Sequence, residues 1–225
     1  MLGTNGEDYL KTVYALGLDG SPVTPSMLAE HFSVSPAAVT KMVKRLRSLK
    51  LVNYSRPNGL SLTSEGRKIA LEILRHHRLI ELYLLKALGY RWDQVHEEAE
   101  RLEHVISEVF EEKIDEYLGH PTHDPHGDPI PGKDGSLPDH PTLPIKAMQP
   151  GDVSQVERVT DSDAEMLQYM DEVGLVPGAK VKMLREEPYG GSIHLKINGD
   201  ECAIGRELAS NVFVASKKKQ RSSQS

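Results

Sequence analysis

Apolar positions recur at helical spacing through the first half of the chain and in strand-length runs through the second. Leu10, Val13 and Tyr14 predict a helix over residues 5–18, closed by the turn signal Asp19-Gly20-Ser21-Pro22. Thr24 before Pro25, and Ser35 before Pro36, each set a capping oxygen ahead of a proline suited to the first helical position. They open helices reaching about Phe32 and Leu49, the second burying Val39, Met42, Val43 and Leu46. Leu51–Ser55 and Leu60–Leu62 flank Arg56-Pro57-Asn58-Gly59 and read as a hairpin. Thr63 caps a long helix to about Leu88. A further helix covers 94–118, with Val95, Ala99, Leu102, Ile106 and Val109 as its apolar stripe.

The pattern then breaks. Seven of the chain's 14 prolines and four of its 18 glycines fall in residues 119–145, which reads as a linker. Beyond it, Val153–Val159, Lys180–Leu184, Ser192–Ile197 and Glu201–Ile204 are strand-length segments. One short helix near Ala164–Glu172, with Met166 and Met170 as core, completes a small β-barrel. Gly190-Gly191 is a hairpin turn. The tail is basic and polar and reads as disordered. The fold class expected is mainly α with a small all-β domain. The segments are a winged helix-turn-helix over 1–63, a helical region with its Pro-rich linker over 64–145, a barrel over 146–216 and a tail over 217–225.

Charge changes the picture more than composition does. The net charge of −6 argues at first against a nucleic-acid partner. Yet residues 21–68 hold eight Lys/Arg against two acids, and residues 93–118 hold ten Asp/Glu against Arg101 and Lys113. A basic module is followed by an acidic one. No apolar run approaches the roughly 20 residues that span a bilayer. The start of the chain lacks the pattern of a signal peptide. The single cysteine, Cys202, reads as a buried small side chain and gives no disulfide framework. The expected location is cytoplasmic, with no membrane partner.

Two short capped helices, a tight turn and a hairpin make a winged helix-turn-helix, whose second helix enters a DNA major groove. Ser35, Pro36, Ala38, Thr40 and Lys41 occupy its N-terminal end and face base edges. Lys44 and Arg47 lie further along and suit phosphates, as does Arg56 at the wing tip.

The acidic module carries different chemistry. His96, Glu100, Glu103 and His104 project from one stripe of a helix, and His77 and Glu81 lie one turn apart on the helix before. Imidazole and carboxylate at a core boundary suit a divalent transition metal. His76 reads as surface, and the tract His120, His123, Asp124, His126 as a packing loop. No His-Glu-x-x-His, Gly-x-Ser-x-Gly or phosphate loop accompanies these residues, so an enzyme is not expected and no small-molecule substrate is implied.

At these residues the chain resembles the diphtheria-toxin-repressor family of metal-dependent transcriptional regulators, and is most similar to its manganese-responsive branch. Ser35-Pro36-Ala37-Ala38-Val39-Thr40-Lys41-Met42-Val43 resembles that branch's recognition helix. Glu103-His104 and His77-Arg78-Leu79 resemble the family's ligand-bearing helices, and Pro125-His126-Gly127-Asp128-Pro129-Ile130-Pro131 its loop after the dimerisation helix. Residues 150–214, with Gly174-Leu175-Val176-Pro177-Gly178, resemble the SH3-like domain of longer members.

The resemblance implies a homodimer that binds a double-stranded DNA operator when loaded with Mn2+ or Fe2+, and that represses metal-uptake genes. It implies a regulatory site of Asp8, Glu100, Glu103 and His104. It implies an ancillary site of His77, Glu81 and His96, joined by a barrel acid for which Asp163 and Glu165 are the nearest candidates. Short manganese regulators place a second carboxylate where this chain has Lys11, which favours single ions at separate sites. The competing reading is a winged-helix regulator that senses an organic ligand or redox state, with no metal role.

Overall fold

The computed structural model describes residues 2–18, 20–138, 141–161 and 163–216. The expected disordered tail, 217–225, lies outside them. The chain forms two compact units. The first comprises Met1–Ile80, Ala99–Tyr117 and Ile130–Leu137; the second comprises Glu81–Glu98, Leu118–Pro129 and Pro138–Ser225.

In the first unit the helices α1 (Thr4–Leu16), α2 (Pro25–His31) and α3 (Pro36–Ser48) pack around Leu10, Val13, Leu28, Val39, Val43 and Leu46. Each buried Val or Leu contributes roughly 1.5–3 kcal/mol. Both predicted caps form: Thr24 Oγ1 accepts from Met27 N at 3.3 Å, and Ser35 Oγ from Ala38 N at 3.3 Å. The strands β1 (Val52–Ser55) and β2 (Gly59–Leu62) make the hairpin in the register Val52↔Leu62 to Ser55↔Gly59. Gly59 has φ +69°, and a Cβ there would lie 2.5 Å from Val23 O, so the wing closes onto the entry of α2 only with glycine. The helix α4 (Ser64–Leu88) starts as expected, with Thr63 Oγ1 accepting from Gly66 N at 3.1 Å.

The predicted helix over 94–118 is two helices, α5 (Val95–Leu102) and α6 (Glu108–Leu118). Ser107 ends the turn between them, its Oγ accepting from Phe110 N at 3.3 Å and its carbonyl from Glu111 N at 2.9 Å. A serine cap after β-branched Val105 and Ile106 competes with helix continuation. The break interrupts the expected apolar stripe: Val95 and Ala99 are buried, Leu102 and Ile106 half-buried, and Val109 exposed.

The second unit holds a six-stranded antiparallel sheet in the order β3 (Thr142–Pro144), β8 (Val212–Ala215), β4 (Val153–Val159), β5 (Lys180–Glu186), β6 (Ile193–Ile197), β7 (Asp200–Ile204). Its helices are α7 (Ala164–Glu172) and α8 (Arg206–Asn211). Val181 and Met183 alternate with outward Lys180 and Lys182, as the period of two requires, and Ile193, Leu195 and Ile197 join them in the core. Met170 is fully buried against this core and Met166 packs on it. Three elements exceed the reading: β3 lies inside the presumed linker, and α8 and β8 follow the last predicted strand. Cys202 is half-buried.

Candidate metal centres

The first unit gathers carboxylates and imidazoles from α1, α4 and the end of α5. His104 Nε2 lies 2.7 Å from Asp8 Oδ1 and 3.3 Å from Glu103 Oε1. One ligand atom from each of Asp8, Glu103 and His104 falls within 4.8 Å of the others. Glu103 is fully buried and His104 nearly so. The ring is held from behind, its Nδ1 2.8 Å from Glu7 Oε2. Despite its short approach to His104, the buried Asp8 Oδ1 makes no hydrogen bond. Ligand atoms that converge at contact distance, one of them a buried oxygen without an aligned hydrogen bond, fit a cation between them.

Glu100 is placed differently from the expectation. Its Oε1 accepts from Lys11 Nζ at 2.6 Å, and Lys11 also donates to Glu103 Oε1 at 2.6 Å. Burial would lower the Lys11 ammonium, but Glu103 and Glu100 outweigh that and hold it above its ordinary value. Burial raises the Asp8 carboxyl above its usual range, against the opposing pull of His104 and Lys11. His77 also approaches this cluster, with Nδ1 2.5 Å from Glu103 Oε2 and 3.8 Å from Glu100 Oε1.

The second unit builds another cluster. His96 Nδ1 lies 3.2 Å from Glu81 Oε1 and 3.3 Å from Asp161 Oδ2. Fully buried His126 brings Nδ1 to 3.7 Å from Glu81 Oε2, and ligand atoms of Glu81, Asp124 and His126 fall within 4.8 Å of one another. Its Nε2 donates to the Trp92 carbonyl at 2.8 Å, which leaves Nδ1 as the nitrogen aimed inward, buried and without a hydrogen-bond partner. Asp124 shapes the loop: its Oδ1 accepts from His126 N at 2.8 Å and Asp128 N at 2.9 Å. Gly127 has φ +91°, and a Cβ there would sit 1.9 Å from Glu157 O. The loop is pinned by Val159 N donating to His126 O at 2.9 Å.

Burial works against charge on His96, yet Asp161 and Glu81 push it up to about 10. In the same way Glu81 leads the groups that push His126 up to about 9. Asp161 is lowered because its hydrogen bond to His96 outweighs burial. Protons therefore hold together donors that a dication would neutralise instead.

Asp161 is the sheet-domain acid. Asp163 caps α7, its Oδ1 accepting from Met166 N at 3.0 Å, and Glu165 is an exposed first-turn acid. Neither lies in the cluster, whereas Asp161, two residues before Asp163, does; a capping aspartate and a cluster aspartate read alike in sequence. His76 is buried, not surface, and its Nδ1 donates to Glu103 O at 3.0 Å. Glu7 was legible only as a first-turn acid. His126, Asp124 and Asp161 carried no spacing signal, since a loop and a strand end supply them.

On α3, Ser35, Pro36, Ala38, Thr40, Lys41, Lys44 and Arg47 are all exposed opposite Val39, Val43 and Leu46, as is Arg56 in the wing. Thr40 Oγ1 donates to Pro36 O at 2.8 Å, so its hydroxyl offers only lone pairs outward.

Known proteins resemble this chain along its length. Residues 1–60 match the iron dependent repressor N-terminal DNA binding domain, and residues 63–132 the iron dependent repressor metal binding and dimerisation domain. Residues 143–216 match the FeoA domain. The iron-dependent repressor IdeR of Mycobacterium bovis is 32% identical over 221 residues, covering 92% of this chain and 95% of the relative. The diphtheria toxin repressor of Corynebacterium glutamicum is 30% identical over 218 residues, covering 92% and 94%. Among solved structures, a manganese-dependent transcriptional repressor in complex with manganese has a TM-score of 0.88 at 37% identity, covering 94% of this chain and 99% of that one. ScaR with bound Cd2+ has a TM-score of 0.82 at 34% identity, with the same coverage.

Proposed function

The chain belongs to the iron-dependent repressor family of metal-dependent transcriptional regulators, and on that footing we propose that it is a manganese-activated, homodimeric repressor of metal-uptake genes. The supporting observation is the convergence of Asp8 on α1 with Glu103 and His104 after α5, around a buried Asp8 oxygen that lacks a hydrogen bond. The working segments are residues 1–63 for DNA, 64–145 for metal and dimerisation, and 146–216 for the SH3-like domain. The family is one of regulators, not enzymes.

Asp8, Glu103 and His104 hold the regulatory ion, with Glu100 and His77 beside them. Glu81, His96, Asp124, His126 and Asp161 form the donor set of the second unit. The donors are carboxylate and imidazole with no sulfur, which suits manganese and next iron(II). The bound ion supplies two positive charges to carboxylates that otherwise repel one another.

The chain's own residues do the rest. Leu10, Val13 and Tyr14 join α1 to the core that carries α3, so holding Asp8 holds the recognition helix. Exposed Val105, Val109, Phe110 and Tyr117 give the dimer its apolar surface. Two α3 helices then address successive major grooves, about 34 Å apart. Since the ion favours the DNA-competent state, operator DNA must tighten metal binding equally.

The test is selection from a randomised duplex pool at fixed salt with manganese, iron(II), zinc or chelator. Enrichment of a palindrome only with metal supports the proposal and ranks the ions. Enrichment that survives chelator overturns it in favour of an organic or redox signal.

A further inference from the structure

A third constellation in the first unit shares no side chain with the regulatory centre. Glu72 and His76 sit one turn apart on α4, and Glu108 opens α6 opposite them. One ligand atom from each falls within 4.8 Å of the others. Glu72 and Glu108 line a cleft of about 500 Å³, together with Lys68, Arg75, Glu111 and the loop from Gly132 to Gly135.

His76 is what sets this cluster apart from an ordinary acidic surface. Only 5% of the residue is exposed. Its Nδ1 must donate to the Glu103 carbonyl, because a carbonyl oxygen only accepts. Its Nε2 is buried and has no hydrogen-bond partner; Glu111 Oε2, at 3.6 Å, lies beyond hydrogen-bond reach. A buried ring nitrogen left unsatisfied destabilises the fold unless something outside the chain pairs with it. An imidazole with one nitrogen tied to a backbone carbonyl and the other presented beside carboxylates is the arrangement of a metal-ligating histidine.

The surrounding charges agree. Arg75 is committed elsewhere, to Glu111 Oε1 at 2.5 Å, Pro131 O at 2.9 Å and Asp115 Oδ2 at 3.2 Å. Partial burial and then the facing Glu108 carboxylate raise the Glu72 carboxyl above its usual range.

We propose that Glu72, His76 and Glu108 form a further binding site for a divalent first-row transition ion, with Glu111 behind it. One nitrogen and two carboxylates leave positions for water, which suits manganese, iron(II) or zinc. Filling this site fixes His76, and through its Nδ1–H bond it fixes the backbone of Glu103. That last step rests on the proposed role of Glu103 in the regulatory centre, but the site itself does not.

The test counts ions. Unbound manganese is followed by its paramagnetic resonance signal as Mn2+ is added to wild type and to Glu72→Gln/Glu108→Gln. The two changes lie at the cleft rim and preserve shape, and a melting curve in chelator checks the fold. The double variant is expected to bind one ion fewer per chain. An unchanged count and unchanged affinities overturn the site. The count is repeated in an Asp8→Asn/His104→Ala background, where one further ion must still disappear with Glu72→Gln/Glu108→Gln. Loss there with no metal-stimulated DNA binding in wild type upholds this site while defeating the regulatory reading. If the double variant fails to fold, His76→Gln replaces it with the same expected loss, and anomalous scattering from a Mn2+-soaked wild-type crystal must show an ion at His76 Nε2.

Discussion

Lys11 Nζ lies 2.6 Å from Glu103 Oε1, and that oxygen is also 3.3 Å from His104 Nε2. An ammonium thus stands where short manganese regulators, by the resemblance, carry a carboxylate. The lysine neutralises a fully buried acid while no ion does so, and it removes the charge a second adjacent ion would need. Its 15% exposure makes the pair largely buried. Breaking such a pair from one side leaves an uncompensated charge and costs on the order of 3 kcal/mol. Lys11→Met should therefore melt earlier in chelator and gain a larger stabilisation from Mn2+ than wild type. Melting curves with and without the ion decide it; equal metal-induced shifts reject the compensating role.

Asp8 is the cleaner probe of the regulatory centre. Glu103 holds Lys11 and His77 as well as its place in the core, so replacing it disturbs packing and charge together. Asp8 is partly exposed at the edge, and asparagine keeps its shape while losing its charge. Asp8→Asn should weaken Mn2+-dependent DNA binding about tenfold or more, equivalent to about 1.4 kcal/mol, with melting in chelator nearly unchanged. Full-strength, metal-dependent binding by this variant in a mobility-shift titration removes Asp8 from the ligands.

The parts legible in sequence were those written in local periodicity and caps. Thr24-Pro25, Ser35-Pro36 and Thr63 placed three helix starts because capping is decided within four residues. Ser107 is the same signal, but the acidic run around it has no apolar break and reads as continuous helix. Glu100, Glu103 and His104 had a spacing to read, although only Glu100 lies within α5 and the other two in the turn that follows it. Asp161 and His126 did not, because tertiary packing alone brings a strand end and a glycine loop to Glu81. Lys11 was visible as a departure from the resemblance, but its two carboxylate partners are 89 and 92 residues away.

The second unit's histidines predict a proton count. His96 is raised from its ordinary value to about 10, and His126 to about 9. A raised histidine keeps its proton in the fold through neutral pH; its stabilisation is complete below about 6.5 and is lost as pH climbs through the raised value. A metal must displace those protons, so binding to this centre should release close to two near pH 7.5 and progressively fewer as pH climbs through about 9 and about 10. Affinity should rise with pH over the same interval. Calorimetry of Mn2+ binding to Asp8→Asn in buffers of different ionisation heat measures the release. Fewer than half a proton near pH 7.5 excludes His96 and His126 as ligands.

The exposed face of α3 separates affinity from choice. Lys44 and Arg47 lie away from the N-terminal end, where a charge meets phosphate whatever the sequence. Lys44→Ala should reduce the slope of log K against log salt by about 0.9 for each protomer on the operator and weaken all sites alike. Lys41 stands at the reading end beside Thr40, whose hydroxyl is spent on Pro36 O and can only accept from a base. Thr40 therefore favours an adenine or cytosine amino group, or a thymine methyl against its own methyl, and does not donate to guanine. Lys41→Ala should relax the preference at one base pair per half-site while changing the salt slope less than its base preference. Selection from the same randomised pool with wild type and both variants tests the division. Identical base preferences in wild type and Lys41→Ala, or a salt slope untouched by Lys44→Ala, would show that α3 meets the duplex in another orientation.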